Sequence, residues 1–131
     1  MTSNGGGPTR PGISDVIARF FEAVSENETA GLPQTLVRGA ETFALRVRGG
    51  WLTDEHFRDG DIVFLHRTAS AQSGQMILAL IDGAQATVRT WHSQDDGMVR
   101  LESASPGNEP LLLSADRVAI QGHVLGVLRK Y

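Results

Sequence analysis

Apolar side chains recur at Ile13, Val16, Ile17, Phe20, Phe21 and Val24, the spacing of one helix face, and predict an amphipathic helix from residue 13. Ser14 is placed to cap it, and Asp15 is favourable in its first turn. The helix should fade near Asn27 and end at Gly31 and Pro33. Such a stripe packs onto its own domain, or it offers a helix to a partner or a second copy. From Thr35 the pattern changes to β. Strands are expected over 42–47, 62–66, 75–81, 86–91, 98–102, 111–113 and 118–129. The runs 62–66 and 75–81 are almost continuously apolar, as in strands buried on both faces. Asp59-Gly60-Asp61, Asp82-Gly83 and Asp95-Asp96-Gly97 are turn signals between them. The expected fold is mainly β with one N-terminal helix. Residues 1–12, with Gly5-Gly6-Gly7 and two prolines, read as a disordered tail. Residues 13–31 read as helix and linker, and 32–131 as one domain.

Composition narrows the function classes. The chain has 131 residues, 40% of them hydrophobic, as in an ordinary single domain. A net charge of −3 gives no electrostatic footprint for nucleic acid. Without cysteine there is neither a disulfide framework nor a thiolate metal site. No apolar run approaches the roughly 20 residues that span a bilayer, and the start lacks a signal-peptide core. These features point to a cytoplasmic protein without a membrane segment.

The segment with most chemical content is Phe43-Ala44-Leu45-Arg46-Val47-Arg48-Gly49-Gly50-Trp51-Leu52, followed by Asp59-Gly60-Asp61-Ile62-Val63. It resembles the start of the self-cleaving peptidase domain of the LexA/UmuD type, F-x-L-x-V-x-G-x-S-M and then D-G-D. Further likenesses follow in order. Leu32-Pro33-Gln34-Thr35-Leu36-Val37 is similar to the proline-bearing lead-in strand. Gly74-Gln75-Met76-Ile77-Leu78-Ala79-Leu80-Ile81-Asp82-Gly83 is similar to G-x-I-V-x-A-x-I-D-G. Ala86-Thr87-Val88-Arg89 falls where the family has x-T-V-K. Ile120-Gln121-Gly122-His123-Val124-Leu125-Gly126-Val127-Leu128-Arg129 is similar to the closing I-x-G-x-V-x-G-V-I-R. Each is weak alone; their order and spacing are specific.

The resemblance implies a serine nucleophile and a neutral lysine base. The serine slot, eight positions before Asp59, holds Trp51, and the lysine slot holds Arg89. An indole is no nucleophile, and a guanidinium stays protonated. Because such pairs act as a unit, losing either group removes most of the acceleration. Leu52 replaces the methionine after the serine and conserves its volume. Ser103-Ala104-Ser105 replaces a P-E-N, so the site region has drifted further. Thr53 is the nearest spare hydroxyl, but it is two positions away, and the chain's only lysine is Lys130. Ser70 and Ser73 sit in a polar loop. The self-cleavage dipeptide is poorly matched: Ala30-Gly31 lies too near the lead-in strand, and Pro11-Gly12 carries proline for alanine.

No other chemistry stands out. His56, His66, His92 and His123 show no local ligand spacing and read as surface or strand-end residues. Glu55-His56 would lie near the old groove. Asp59 and Asp61 lack the remaining ligands of a calcium loop. Arg46 and Arg48 share a strand face that reads most simply as solvated, or as one that meets an acidic partner. No cofactor or metal is expected. The chain leaves no room for a DNA-reading module and is closer in architecture to UmuD.

The expectation is therefore an inactive peptidase-fold module, with Trp51, Leu52, Thr53 and Arg89 lining a groove that takes an extended segment by strand addition. By resemblance it would dimerise through Val118, Ile120, Val124 and Val127, in transcriptional regulation or the DNA-damage response. The N-terminal helix is the other candidate surface for a protein partner. Two alternatives stand beside this: an autoproteolytic serine peptidase with a non-standard nucleophile, and an accessory subunit of an error-prone polymerase.

Overall fold

The computed structural model describes residues 15–25, 28, 41–49, 57–103 and 107–130. Eight strands form one sheet: β1 Phe21–Ala23, β2 Thr42–Val47, β3 Ile62–Arg67, β4 Met76–Ile81, β5 Gln85–Ser93, β6 Met98–Glu102, β7 Leu111–Ser114 and β8 Val118–Leu128. Their order is β1-β2-β3-β8-β4-β5-β6-β7, and every neighbouring pair is antiparallel. The seven strands expected from the sequence all form, with bounds displaced by a residue or two. The turn residues behave as their chemistry requires. Asp82 and Gly83 both take positive φ (54° and 69°), and the Ala84 amide donates to the Ile81 carbonyl across this tight hairpin.

The last strand crosses the middle of the sheet. Residues 122–128 of β8 pair with β3, and residues 118–123 pair with β4. Each register contains a bulge, with Leu125 extra on one side and Gln121 on the other. Bulges bend a strand and sharpen its twist. The sheet accordingly covers two apolar cores on opposite faces. Leu45, Val47, Val63, Leu65, Leu78, Leu80 and Val88 belong to the first; Ile77, Ala79, Val99, Leu101 and Val118 belong to the second. Alternation along β4 sends Leu78 and Leu80 to one face and Ile77 and Ala79 to the other. That is the physical reason for its unbroken apolar run.

The N-terminal helix is corrected. Ile17–Arg19 make a single 3₁₀ turn, and Phe21–Ala23 add a strand to the edge of the sheet, with Phe21 opposite Val47. Ile17 and Phe21 are buried in the first core, with Val16 and Phe20 packed against it. A turn followed by a strand puts positions 17 and 21 on the core as well as a helix would. The free edge of β2 then favours pairing, because it satisfies backbone groups that a short helix would leave open. Ile13, Ser14 and Asn27 lie outside the described residues. Of the two roles weighed for the stripe, Ile17 and Phe21 fill the first, packing onto the chain's own core.

Candidate functional site

The D-G-D turn is a junction. Gly60 has φ of 93°, a conformation that favours glycine. The turn closes onto the end of β2: the Val47 amide donates to the Asp61 carbonyl (2.8 Å), and the Gly60 amide donates to the Val47 carbonyl (2.9 Å). Asp59 Oδ1 accepts from the Gly49 amide at 2.6 Å. Asp61 is buried and accepts a bidentate pair from Arg129, with Nε at 2.8 Å and Nη2 at 2.7 Å. The Arg58 amide donates to the same carboxylate at 2.8 Å. Above all the Arg129 hydrogen bonds hold the Asp61 carboxyl below its ordinary pKa, against the upward push of burial.

The turn thus fixes both flanks of the segment between Gly49 and Phe57. The Gly49 end hangs on Asp59, and the Phe57 end is buried in the first core. Trp51, Leu52 and Thr53, with Glu55 and His56, fall inside that segment and lie outside the described residues. Arg46, Arg58, Asp59, Asp61, Ile62, Leu128, Arg129 and Lys130 line an open cleft of about 420 Å³. Arg46 and Arg48 are not simply solvated, as the sequence suggested. Arg46 pairs with Glu22 (3.5 Å) and with Glu28, and Arg48 donates to the Ala18 carbonyl (3.0 Å), tying β2 to the N-terminal turn.

Arg89 stands on β5 opposite Ile77, on the face of the second core. Its Nη1 donates to the carbonyls of Leu101 (3.4 Å) and Glu109 (3.3 Å). The guanidinium therefore staples the end of β6 to the chain leading into β7. Ser103, at the start of that connection, accepts from Asn108 Nδ2 at 3.2 Å. Ser73 Oγ accepts from the Ser93 amide at 2.9 Å, and Ser70 belongs to a local turn with Thr68.

The four residues expected at a dimer contact divide. Val118 is buried and Ile120 is packed in the second core, so both serve the chain's own fold. Val124 packs against the first core, while Val127 is exposed (44%), as is the bulge residue Leu125 (38%). The two pairings of β8 overlap only at Gly122 and His123. Among the described residues, positions 124–128 thus have a strand along one edge and none along the other.

Two pairings of histidine were invisible in the sequence. His92 Nε2 lies 2.8 Å from Glu102 Oε1, joined by Arg100 at 3.3 Å. His66 and His123 stand directly opposite on β3 and β8, their ring centroids 6.3 Å apart. Among the described residues no three His, Cys, Asp or Glu side chains converge as metal ligands, and no helix is long and apolar enough to cross a membrane.

The fold and the D-G-D junction define the class: a peptidase-type β domain of the LexA/UmuD kind. The Peptidase S24-like family model matches residues 13–125, and the chain belongs to that family. The match includes the 3₁₀ turn and β1. Among similar proteins is the LexA repressor of Novosphingobium aromaticivorans, 34% identical over 111 residues, covering 85% of this chain and 47% of the relative. The LexA repressors of Syntrophobacter fumaroxidans and Zymomonas mobilis subsp. mobilis are 34% and 33% identical over the same length, with 53% and 51% of each relative covered. The chain spans about half the length of the curated relatives it matches.

Proposed function

We propose that this chain is a catalytically inactive member of its family that works as a dimerising, protein-binding module in gene regulation linked to DNA damage. The observation that carries this reading is the pair of residues in the reaction slots. The frame from Phe43 to Asp61 is retained, with Trp51 at the serine slot and Arg89 at the lysine slot. Arg89 donates to two backbone carbonyls, the work of a fixed cation rather than of a base that must release a proton. Trp51 would then fill the groove or anchor a partner's side chain, with Leu52, Thr53 and Arg89 beside it. An extended partner segment would bind there by strand addition.

The homodimer would form along residues 124–128, where β8 has an edge unpaired among the described residues and Leu125 and Val127 are exposed. Antiparallel pairing of two such edges would satisfy backbone groups and cover both side chains. The regulatory setting draws its support from the LexA repressors that the chain resembles, and a cytoplasmic location is proposed with it.

The test is incubation of the purified chain, alone and with a LexA repressor, followed by intact-mass analysis. Full-length masses throughout are the expected result. Cleavage that disappears in Thr53→Ala would establish the competing reading, a peptidase with a displaced nucleophile. Light scattering should give a dimer for the wild-type chain and a monomer for Val127→Glu; a wild-type monomer would refute the pairing.

A further inference from the structure

We infer that His66 and His123 form a two-imidazole chelate for a divalent transition ion of the copper, nickel and zinc group. The inference is independent of the functional reading above. The two residues are directly opposite on neighbouring antiparallel strands, so their side chains leave the same face of the sheet. This rung is among the most constrained in the fold. His123 and Gly122 are the only positions of β8 flanked by both β3 and β4. The backbones approach so closely that a Cβ on Gly122 would meet the His66 carbonyl at 2.9 Å.

Distance decides whether one ion can reach both rings. Nitrogens about 2.0–2.1 Å from a shared ion place two ring centroids roughly 4.5–6.5 Å apart, from right-angled to opposed ligands. The observed 6.3 Å, with the rings inclined at 72°, falls at the opposed-ligand end of that window, so an ion with trans ligands, as in tetragonal copper, fits it, and a tetrahedral ion needs the rings closer. His66 is exposed and His123 is half-buried. Among the described residues neither ring has a hydrogen-bond or ion-pair partner, so binding an ion displaces only the edge contact between the rings themselves. Thr42 and Ile77 occupy the flanking positions of the same rung, and neither brings a charge. Two imidazoles suit borderline ions, copper most strongly, while calcium and magnesium demand oxygen ligands. Solvent completes the coordination. The ligands must be neutral, so affinity falls as the imidazoles protonate.

Calorimetric titration of the full chain with Cu²⁺, and separately with Zn²⁺, tests the site. One ion per chain is expected, copper tighter than zinc and no response to Mg²⁺. His66→Gln and His123→Gln should each weaken copper binding about tenfold or more, while His56→Gln and His92→Gln leave it unchanged. A smaller loss in either of the first two variants, or an equal loss in either of the others, overturns the chelate. Electron paramagnetic resonance of the copper-loaded wild-type chain needs no variant to fold. Two coordinated imidazole nitrogens are expected, and one or none refutes the proposal.

Discussion

Two bidentate aspartate–arginine pairs hold this sheet, and they differ in one variable. Asp82 and Arg117 join the β4–β5 hairpin to the turn before β8, at 2.9 Å and 2.7 Å. Asp61 and Arg129 make the same two contacts at 2.8 Å and 2.7 Å. The first pair is open to solvent, with about half of each side chain exposed (52% and 49%). In the second the carboxylate is 2% exposed. The geometry is equal, and the consequences should not be. Water stands ready to replace either partner of the exposed pair. A buried carboxylate that loses its arginine keeps, among the described residues, the Arg58 amide alone, and the charge remains in place. What the comparison teaches is that burial, more than bond length, separates a pair the fold depends on from one that only decorates it.

The largest break should come from Arg129→Met. Leaving Asp61 buried and unpaired should cost about 3 kcal/mol, the low end for a buried pair because Arg129 itself is partly exposed. Urea unfolding measures it; a loss no larger than that of Arg117→Gln would dissolve the contrast. The same variant should change the pH response. Asp61 has a lowered pKa when folded, so its contribution is complete above the ordinary carboxylate value and is lost as pH falls through the lower folded value. Without Arg129, burial instead favours the protonated acid. The stability gap between wild type and Arg129→Met should therefore narrow as pH is lowered into the carboxylate range.

Gly60→Ala is the next effect in size. With φ of 93°, a side chain there is strained by about 1–2 kcal/mol. The loss should appear together with faster hydrogen exchange at Gly49 and Val47, whose amides the D-G-D turn holds. Arg89→Met should cost about 1 kcal/mol, the net worth of its hydrogen bonds to the Leu101 and Glu109 carbonyls. Protease sensitivity between β6 and β7 should rise with it. Asp82→Asn closes the series. Its melting midpoint should stay within the scatter of wild type, and the small difference should vanish in high salt, which screens exposed pairs.

The sequence made the strands legible because their signal is local. Continuous apolar runs over β3 and β4, alternation in β2, and aspartate–glycine turns are properties of a few consecutive residues. The D-G-D motif was visible as a turn and as a family marker. Its role as a clamp was not, since Arg129 lies 68 positions from Asp61. The N-terminal stripe misled for a different reason. Positions 17, 20, 21 and 24 satisfy a helical period, but they equally suit a turn and an edge strand, and the open edge of β2 made that choice. The packing of Val118 and Ile120 in the second core was not legible, because an apolar residue in a last strand does not announce which face it will cover. Arg89 was expected by resemblance at the lysine slot; the carbonyls it holds, on β6 and in the chain before β7, were not legible in the sequence.

By itself the chain's sequence determined a β domain of the Peptidase S24-like family and its turns. These follow from short-range stereochemistry and from the order of motifs. Tertiary structure decided which acid is buried against which base, which part of β8 keeps an open edge, and that His66 faces His123. Such facts depend on strands distant in sequence being brought into register around two cores, and no local pattern encodes the register of a crossing strand.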